Sequence, residues 1–322
     1  MQTVLTLDEI QAAYRRISAS IYRTPLEESL YLGSEDRHYY FKLESLQTVR
    51  SFKIRGALSR MTTLTAAAKE KGVATVSSGN HGSAVAYAAR LLGIETAVII
   101  VPENTPAAKT DRIRFYGGTV LRMGRDYDEA HRLGMAYIAE HGLTFIDAYY
   151  DDPLIYAGQG TISLEILAQN PDIDTIVCPI GGGGLITGIA VAAKALKPDI
   201  RIIGVQTEAC PAMIASLAEH VFYEEYPVSG DTVCDTLVGG VGRLSYELLG
   251  DLLDDIIEVK ESTIRQAVKH MILNERQIAE GGSCTTVAAV MDHAERIGGH
   301  QIALIISGGN IDGALIKKLV TE

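Results

Sequence analysis

Lys53 stands in Ser51-Phe52-Lys53-Ile54-Arg55-Gly56-Ala57, where Ile54, Leu58 and Met61 then recur on about one helical face. A loop over residues 46–50 precedes it, so the amine belongs to a helix's first turn. The positive end of the helix dipole lowers the pKa of such an amine and raises its free-base share. Schiff-base chemistry requires that free amine. A lone lysine at a helix start is also an ordinary solvated charge. Lys53 gains weight from three more stretches: Ser77-Ser78-Gly79-Asn80-His81-Gly82, Gly181-Gly182-Gly183-Gly184 and Ser307-Gly308-Gly309-Asn310.

The four glycines Gly181, Gly182, Gly183 and Gly184 lie between a strand pattern at 175–178 and a helical run at 185–196. Successive N–H groups there can face one concavity at a helix N-terminus, which suits a phosphate. A tight turn needing positive φ is the other reading, but four in a row exceed that need. The run is not a dinucleotide fingerprint, since Gln206 stands where the acidic residue ending the next strand would be. No Gly-Lys-Ser/Thr follows, so it is not a Walker loop. Residues 77–82 repeat the device before another helix, placed for a carboxylate. Ser78 and Asn80 are also of helix-capping type, and capping and ligand binding are compatible.

In this order and spacing the four stretches resemble the fold-type II pyridoxal-phosphate enzymes, in the branch of serine/threonine dehydratases (threonine ammonia-lyases) and serine racemases. The similarity runs from about Ile17 to the C-terminus. It implies a tryptophan synthase β-like α/β fold and pyridoxal 5'-phosphate as cofactor. By the same resemblance Lys53 carries the cofactor, the glycine loop Gly181–Gly184 binds its phosphate, and Asn80 meets its 3'-oxygen. Ser307 meets the pyridine nitrogen. Phe52 packs on the ring, though without the resemblance it reads equally as a core aromatic. Ser77, Ser78, Gly79, Asn80 and His81 form the substrate-carboxylate loop. Lys53 and Ser78 are the expected catalytic residues, Ser78 as a base on the face opposite Lys53.

A serine hydroxyl does not keep the pyridine nitrogen protonated as an aspartate does, so the ring is a weaker electron sink. That favours expulsion of a β-substituent over transamination. The implied activity is α,β-elimination from a β-hydroxy amino acid (L-threonine, L-serine or a relative) to a 2-oxo acid and ammonia. The alternatives are a serine or aspartate racemase of the same fold and, from another class, a non-catalytic phosphate-binding α/β protein.

The chain departs from the family pattern in places. Ser78 stands where many threonine dehydratases have alanine and where racemases have their second base. Thr236 replaces the usual glycine beside the ring, and Gly239-Gly240-Val241-Gly242 resembles the hydroxyectoine-utilisation dehydratases. Gln206 replaces the carboxylate of the racemases' metal site, so no metal is expected despite nearby Glu208. Asp147, Asp151 and Asp152 read as a solvated acidic turn. The chain ends soon after Ser307, without room for a C-terminal regulatory domain.

Elements that position these residues follow from periodicity. Helices are expected at 7–18, 82–92, 106–116, 127–140 and 185–196, with another opened by Gly158-Gln159-Gly160. Strands are expected at 39–43, 73–76, 96–101, 119–121, 144–146, 175–178, 202–205, 256–259 and 303–306. The alternation predicts two open parallel-sheet α/β domains: residues 1–70 and 150–322 as a large cofactor-binding unit, with a small one, 71–149, inserted. A ligand would sit in the crevice between them.

A formal net charge of -11 argues against nucleic acid as a partner. No apolar run approaches the ~20 residues needed to span a bilayer. The first ten residues lack both parts of an export signal. Cys178, Cys210, Cys234 and Cys284 are scattered and read as reduced, buried thiols. The expected setting is the cytoplasm, with an amino acid as small-molecule partner and a homodimer or homotetramer as assembly.

Overall fold

The computed structural model describes residues 5–321; Glu322 and residues 1–4, part of the stretch read for an export signal, lie outside them. The strands are β1 (Leu26–Ser34), β2 (Arg37–Leu43), β3 (Val73–Val76), β4 (Ala97–Val101) and β5 (Thr119–Arg122). They continue as β6 (Thr144–Phe145), β7 (Thr175–Pro179), β8 (Arg201–Thr207), β9 (Asp255–Val259) and β10 (Gln301–Ile306). They form two sheets, ordered β1-β2-β10-β7-β8-β9 and β5-β4-β3-β6. All pairings but one are parallel. β3, β4 and β7 are buried throughout, as the inner strands of helix-covered parallel sheets are.

The exception is the antiparallel hairpin β1–β2 at the edge of the larger sheet, whose first strand is absent from the sequence-based expectation. In β1 only Ser29 is buried, so the strand carries no alternating apolar signature. Its register shifts between Glu28 and Gly33. Gly33 has φ +115°, and a Cβ there would lie 2.6 Å from the Arg37 carbonyl oxygen.

The helix Pro153–Gln169 begins before the expected Gly158. Asp152 caps it, its carboxylate accepting the Leu154 N–H at 3.0 Å, with proline at the start. Gly158 is instead a contact point, since a Cβ there would meet the Arg55 carbonyl oxygen at 2.4 Å. The lysine helix, Lys53–Met61, thereby packs tightly on Pro153–Gln169, with Ile54, Leu58 and Ile155 in one core cluster. Within that contact Arg55 is fully buried between Glu44 (Nε to Oε2, 2.7 Å) and Glu165 (Nη1 to Oε1, 2.8 Å). Lys42 completes the group, 2.7 Å from Glu165. Each buried charge therefore has an opposite partner, without which burial would be prohibitive.

The strands of the smaller sheet span residues 73–145. On that span we propose 71–149 as the inserted domain, with 1–70 and 150–322 as the large one. The four cysteines are buried and unpaired. Among the described residues no helix is long and apolar enough to cross a membrane.

Candidate active site

The lysine helix starts where it does because the preceding chain is fastened to the end of β10. Ser51 bridges Gly308, the Phe52 N–H donates to the Ser307 carbonyl at 3.0 Å, and the Gly309 N–H donates to the Arg50 carbonyl at 2.9 Å. Ser307 is buried, with its Oγ 2.9 Å from Ser283 Oγ. Ser283 also accepts the Gly308 N–H at 2.7 Å.

Lys53 Nζ donates to the Ala148 carbonyl at 3.1 Å and lies 5.2 Å from the Phe52 ring and 5.8 Å from the Tyr149 ring. Loss of solvation lowers its pKa from 10.5 to about 8, against the opposing pull of Asp147 and Glu280. The direction is the one expected from the sequence; the leading cause is burial, not the helix dipole.

The loop after β3 turns into the helix Asn80–Leu91, two residues before the expected start at 82. The Ser77 N–H donates to the Ile100 carbonyl, and Ser77 Oγ accepts the Gly79 N–H at 3.3 Å. No side chain caps this helix, so the capping role open to Ser78 and Asn80 is not in use. The Asn80 amide instead donates to Glu280 Oε1 at 2.8 Å and accepts from Asn310 Nδ2 at 2.7 Å. Ser78 is half-buried and makes no side-chain hydrogen bond among the described residues. His81 is buried, its Nε2 3.0 Å from the Ile146 carbonyl. Burial and the charge of Lys53 push its pKa down to about 4, so the ring is neutral near pH 7 and donates to that carbonyl.

Gly183 has φ +93° at the N-cap of the helix Gly184–Leu196, so the turn reading of the glycines holds at that position. It does not account for the others. The N–H groups of Gly181, Gly182 and Gly183 donate to nothing among the described residues. A Cβ on Gly182 would lie 2.0 Å from the Tyr149 ring. The loop is thus a row of free donors with an aromatic side chain beside it.

A family model described as pyridoxal-phosphate dependent enzyme matches residues 17–308. The chain belongs to that family. An L-threonine ammonia-lyase of Thermotoga maritima is 37% identical, over 99% of this chain and 79% of that protein. The solved structure of maize serine racemase superposes with a TM-score of 0.91 at 33% identity, covering 98% of this chain and 97% of that one. The processed form of threonine deaminase isoform 2 from Solanum lycopersicum superposes at 0.89 with 34% identity, covering 98% and 93%.

The residues present fit the family's cofactor. Unbonded N–H groups at a helix N-terminus match a phosphate, and a lysine amine titrating near 8 matches an aldehyde.

Several residues of the site were not found from the sequence. Glu280 is buried, and burial, then Asp235, raises its pKa to about 7 against the hydrogen bonds from Asn80 and the Asn310 N–H. A signal existed: Glu280-Gly281-Gly282-Ser283 is another glycine pair at a helix start. Tyr149 had none. The acidic turn needs correcting in part. Asp147 is half-buried and accepts the N–H groups of Tyr149 (3.2 Å), Tyr150 (2.7 Å) and Asp151 (3.1 Å), shaping the turn that presents Ala148 to Lys53. Asp152 is a helix cap paired with Arg60 at 2.7 Å, and only Asp151 is exposed. Gln206 Oε1 accepts from the Met213 and Ile214 N–H groups at 2.9 and 3.0 Å, capping the helix Ala212–Glu219. Glu208 accepts the Glu261 N–H at 2.8 Å. Thr236 is exposed at the rim of the cleft beside Asn80.

Proposed function

We propose that this protein is a dehydratase, or ammonia-lyase, that converts a β-hydroxy amino acid to a 2-oxo acid and ammonia by α,β-elimination. The observation that carries the reading is the desolvated Lys53 amine, titrating near 8, with the Tyr149 ring neighbouring both it and a glycine loop with free N–H groups. The L-threonine activity of the Thermotoga relative points the same way.

Bound pyridoxal phosphate supplies an electron sink for the pair left when Cα loses its proton. The rest falls to this chain. Lys53 holds the cofactor through its amine, then, as free base, takes the Cα proton on Nζ. Gly181–Gly184 hold the phosphate, Asn80 the 3'-oxygen, Ser307 the ring nitrogen and Phe52 one ring face. Asn80 can serve because Glu280 and Asn310 fix the plane of its amide. Ser77, Gly79, Asn80 and His81, with Ser78 through its backbone N–H, hold the substrate carboxylate at the start of the helix Asn80–Leu91. The Cβ–O bond breaks, the hydroxyl leaves as water after gaining a proton, and the released enamine hydrolyses off the enzyme to 2-oxo acid and ammonia.

A second reading, racemisation, rests on Ser78, whose unbonded hydroxyl lines the cleft, and on the likeness to maize serine racemase. The buried, unpaired thiols suit the cytoplasm as compartment, and exposed Leu30, Tyr31 and Phe115 offer apolar surface for a homodimer or homotetramer.

Purified protein with added pyridoxal phosphate should be yellow, and borohydride should fix a pyridoxyl group on Lys53. A panel of β-hydroxy amino acids in a coupled 2-oxo acid assay tests the reaction. No turnover of any member by cofactor-loaded enzyme would sink it.

A further inference from the structure

The cleft that holds Ser78 and Asn80 has a wall that the family's cofactor chemistry leaves unexplained. Lys109 and Arg112, both from the helix Ala107–Phe115 of the smaller sheet's layer, face it together with Glu280. Its volume is about 30 Å³, room for a small polar group. The side chains that line it are all polar or charged among the described residues, the Thr236 methyl being the one branch without a polar atom.

The two cations differ. Lys109 is already neutralised by Asp235 at 2.9 Å. Arg112 is half-buried, yet its guanidinium makes no hydrogen bond and no ion pair among the described residues. Arg60, similarly half-buried, is paired with Asp152. A partly desolvated guanidinium without a contacting carboxylate is costly, and its fork of donors matches one. Glu280, the remaining acid of the wall, forms no ion pair with Arg112, and burial raises its pKa to about 7, so it is only partly ionised at neutral pH. With Lys109 paired to Asp235, the wall carries more positive charge than its acids offset.

We propose that Arg112 selects an anionic side chain, so that the preferred substrate is an acidic β-hydroxy amino acid, of which a 3-hydroxyaspartate is the smallest. This rests on the elimination reading above. The substrate's second carboxylate meets the Arg112 fork while its α-carboxylate occupies the loop at 77–82, and loss of the β-hydroxyl as water gives a 2-oxo dicarboxylic acid and ammonia.

The test compares kcat/KM of the holoenzyme for the isomers of 3-hydroxyaspartate, L-serine and L-threonine, in the wild type, R112Q and R112K. The wild type should prefer an acidic isomer. In R112Q, kcat/KM for that isomer should fall about 10- to 100-fold further than for L-serine, chiefly through KM. R112K, which keeps charge but not the fork, should lie between. Equal losses for acidic and neutral substrates would overturn the proposal, since Arg112 would then serve the α-carboxylate or the fold. So would a wild type that turns over L-serine and L-threonine but no 3-hydroxyaspartate, an outcome that leaves the elimination reading standing. Calorimetric titration of the holoenzyme with succinate and butyrate reads the site without turnover. Succinate should bind the wild type more tightly than butyrate, and R112Q should erase the difference. If no β-hydroxy amino acid is turned over while succinate binding still depends on Arg112, the elimination reading fails and the anion site stands.

Discussion

Phe52 donates its backbone N–H to the Ser307 carbonyl at 3.0 Å, so the residue before the reactive lysine is fastened to the residue that follows the central strand β10. Lys53 and Ser307 are 254 positions apart (307 − 53) in the chain, yet this hydrogen bond, with the contacts of Arg50 and Ser51 to Gly309 and Gly308, sets where the amine stands relative to the hydroxyl. A reaction that needs both groups on one planar ring needs this kind of fastening.

Cofactor capture should report the lowered pKa of Lys53 directly. Only the deprotonated amine attacks an aldehyde, so the uptake rate of pyridoxal phosphate by apoprotein should rise about tenfold per pH unit and level off above about 8. Stopped-flow absorbance measures it. Levelling only near the ordinary 10.5 would show that Lys53 is a solvated surface amine. Lys53→Ala should lose the yellow species at every pH.

Glu280 should leave a signature in stability. Its folded-state pKa, about 7, lies above the ordinary 4.5, so the folded protein holds this proton more tightly than the unfolded chain. The contribution is complete below about 4.5 and is lost as pH rises through about 7. Its full size is on the order of a few kcal/mol. Urea denaturation of wild type and Glu280→Gln between pH 5 and pH 8 isolates it: the variant should gain relative stability as pH rises. A pH-independent difference would mean that the carboxyl does not titrate in this window.

How legible these features were in the sequence depended on the range of the contact. β3, Val73-Ala74-Thr75-Val76 with three β-branched residues, showed itself through local composition, and the glycine loop through its spacing. The start of Pro153–Gln169 was misplaced because Gly158-Gln159-Gly160 looks like a helix opening, whereas those glycines serve close packing against Arg55 and Gly188. β1 was invisible because its faces are mostly exposed. Glu280 and Tyr149 escaped because what matters about them is a partner far along the chain: Asn80 for one, Lys53 and Gly182 for the other. No local periodicity encodes such partners.

The buried quartet of Lys42, Glu44, Arg55 and Glu165 should be sensitive to removal of its centre. Arg55 alone pairs with both carboxylates, and none of the four charges reaches water. Arg55→Ala leaves Glu44 with no ion-pair partner and should cost about 3–5 kcal/mol in urea denaturation. A loss below about 1 kcal/mol would show that water enters the site or that the acids simply protonate.

Ser78 decides between elimination alone and elimination with racemisation. Its hydroxyl is half-buried, faces the cleft and has no hydrogen-bond partner among the described residues, so it is available to carry a proton. A racemase needs two groups, one to remove the Cα proton and another to return one from the far face. Elimination from an L-substrate needs only Lys53, because the β-hydroxyl departs once that proton is gone. General acid–base help is worth roughly 10²–10⁴ in rate. Ser78→Ala should therefore remove racemisation and turnover of D-substrates almost completely, while elimination from L-substrates stays within about tenfold, or ~1.4 kcal/mol in barrier. Chiral chromatography of recovered substrate, run beside the 2-oxo acid assay, reads both in one experiment. If Ser78→Ala cripples L-elimination as severely as Lys53→Ala, the serine is a carboxylate anchor on which the whole site depends. If the wild type never racemises its substrate, the hydroxyl is unused and elimination stands alone.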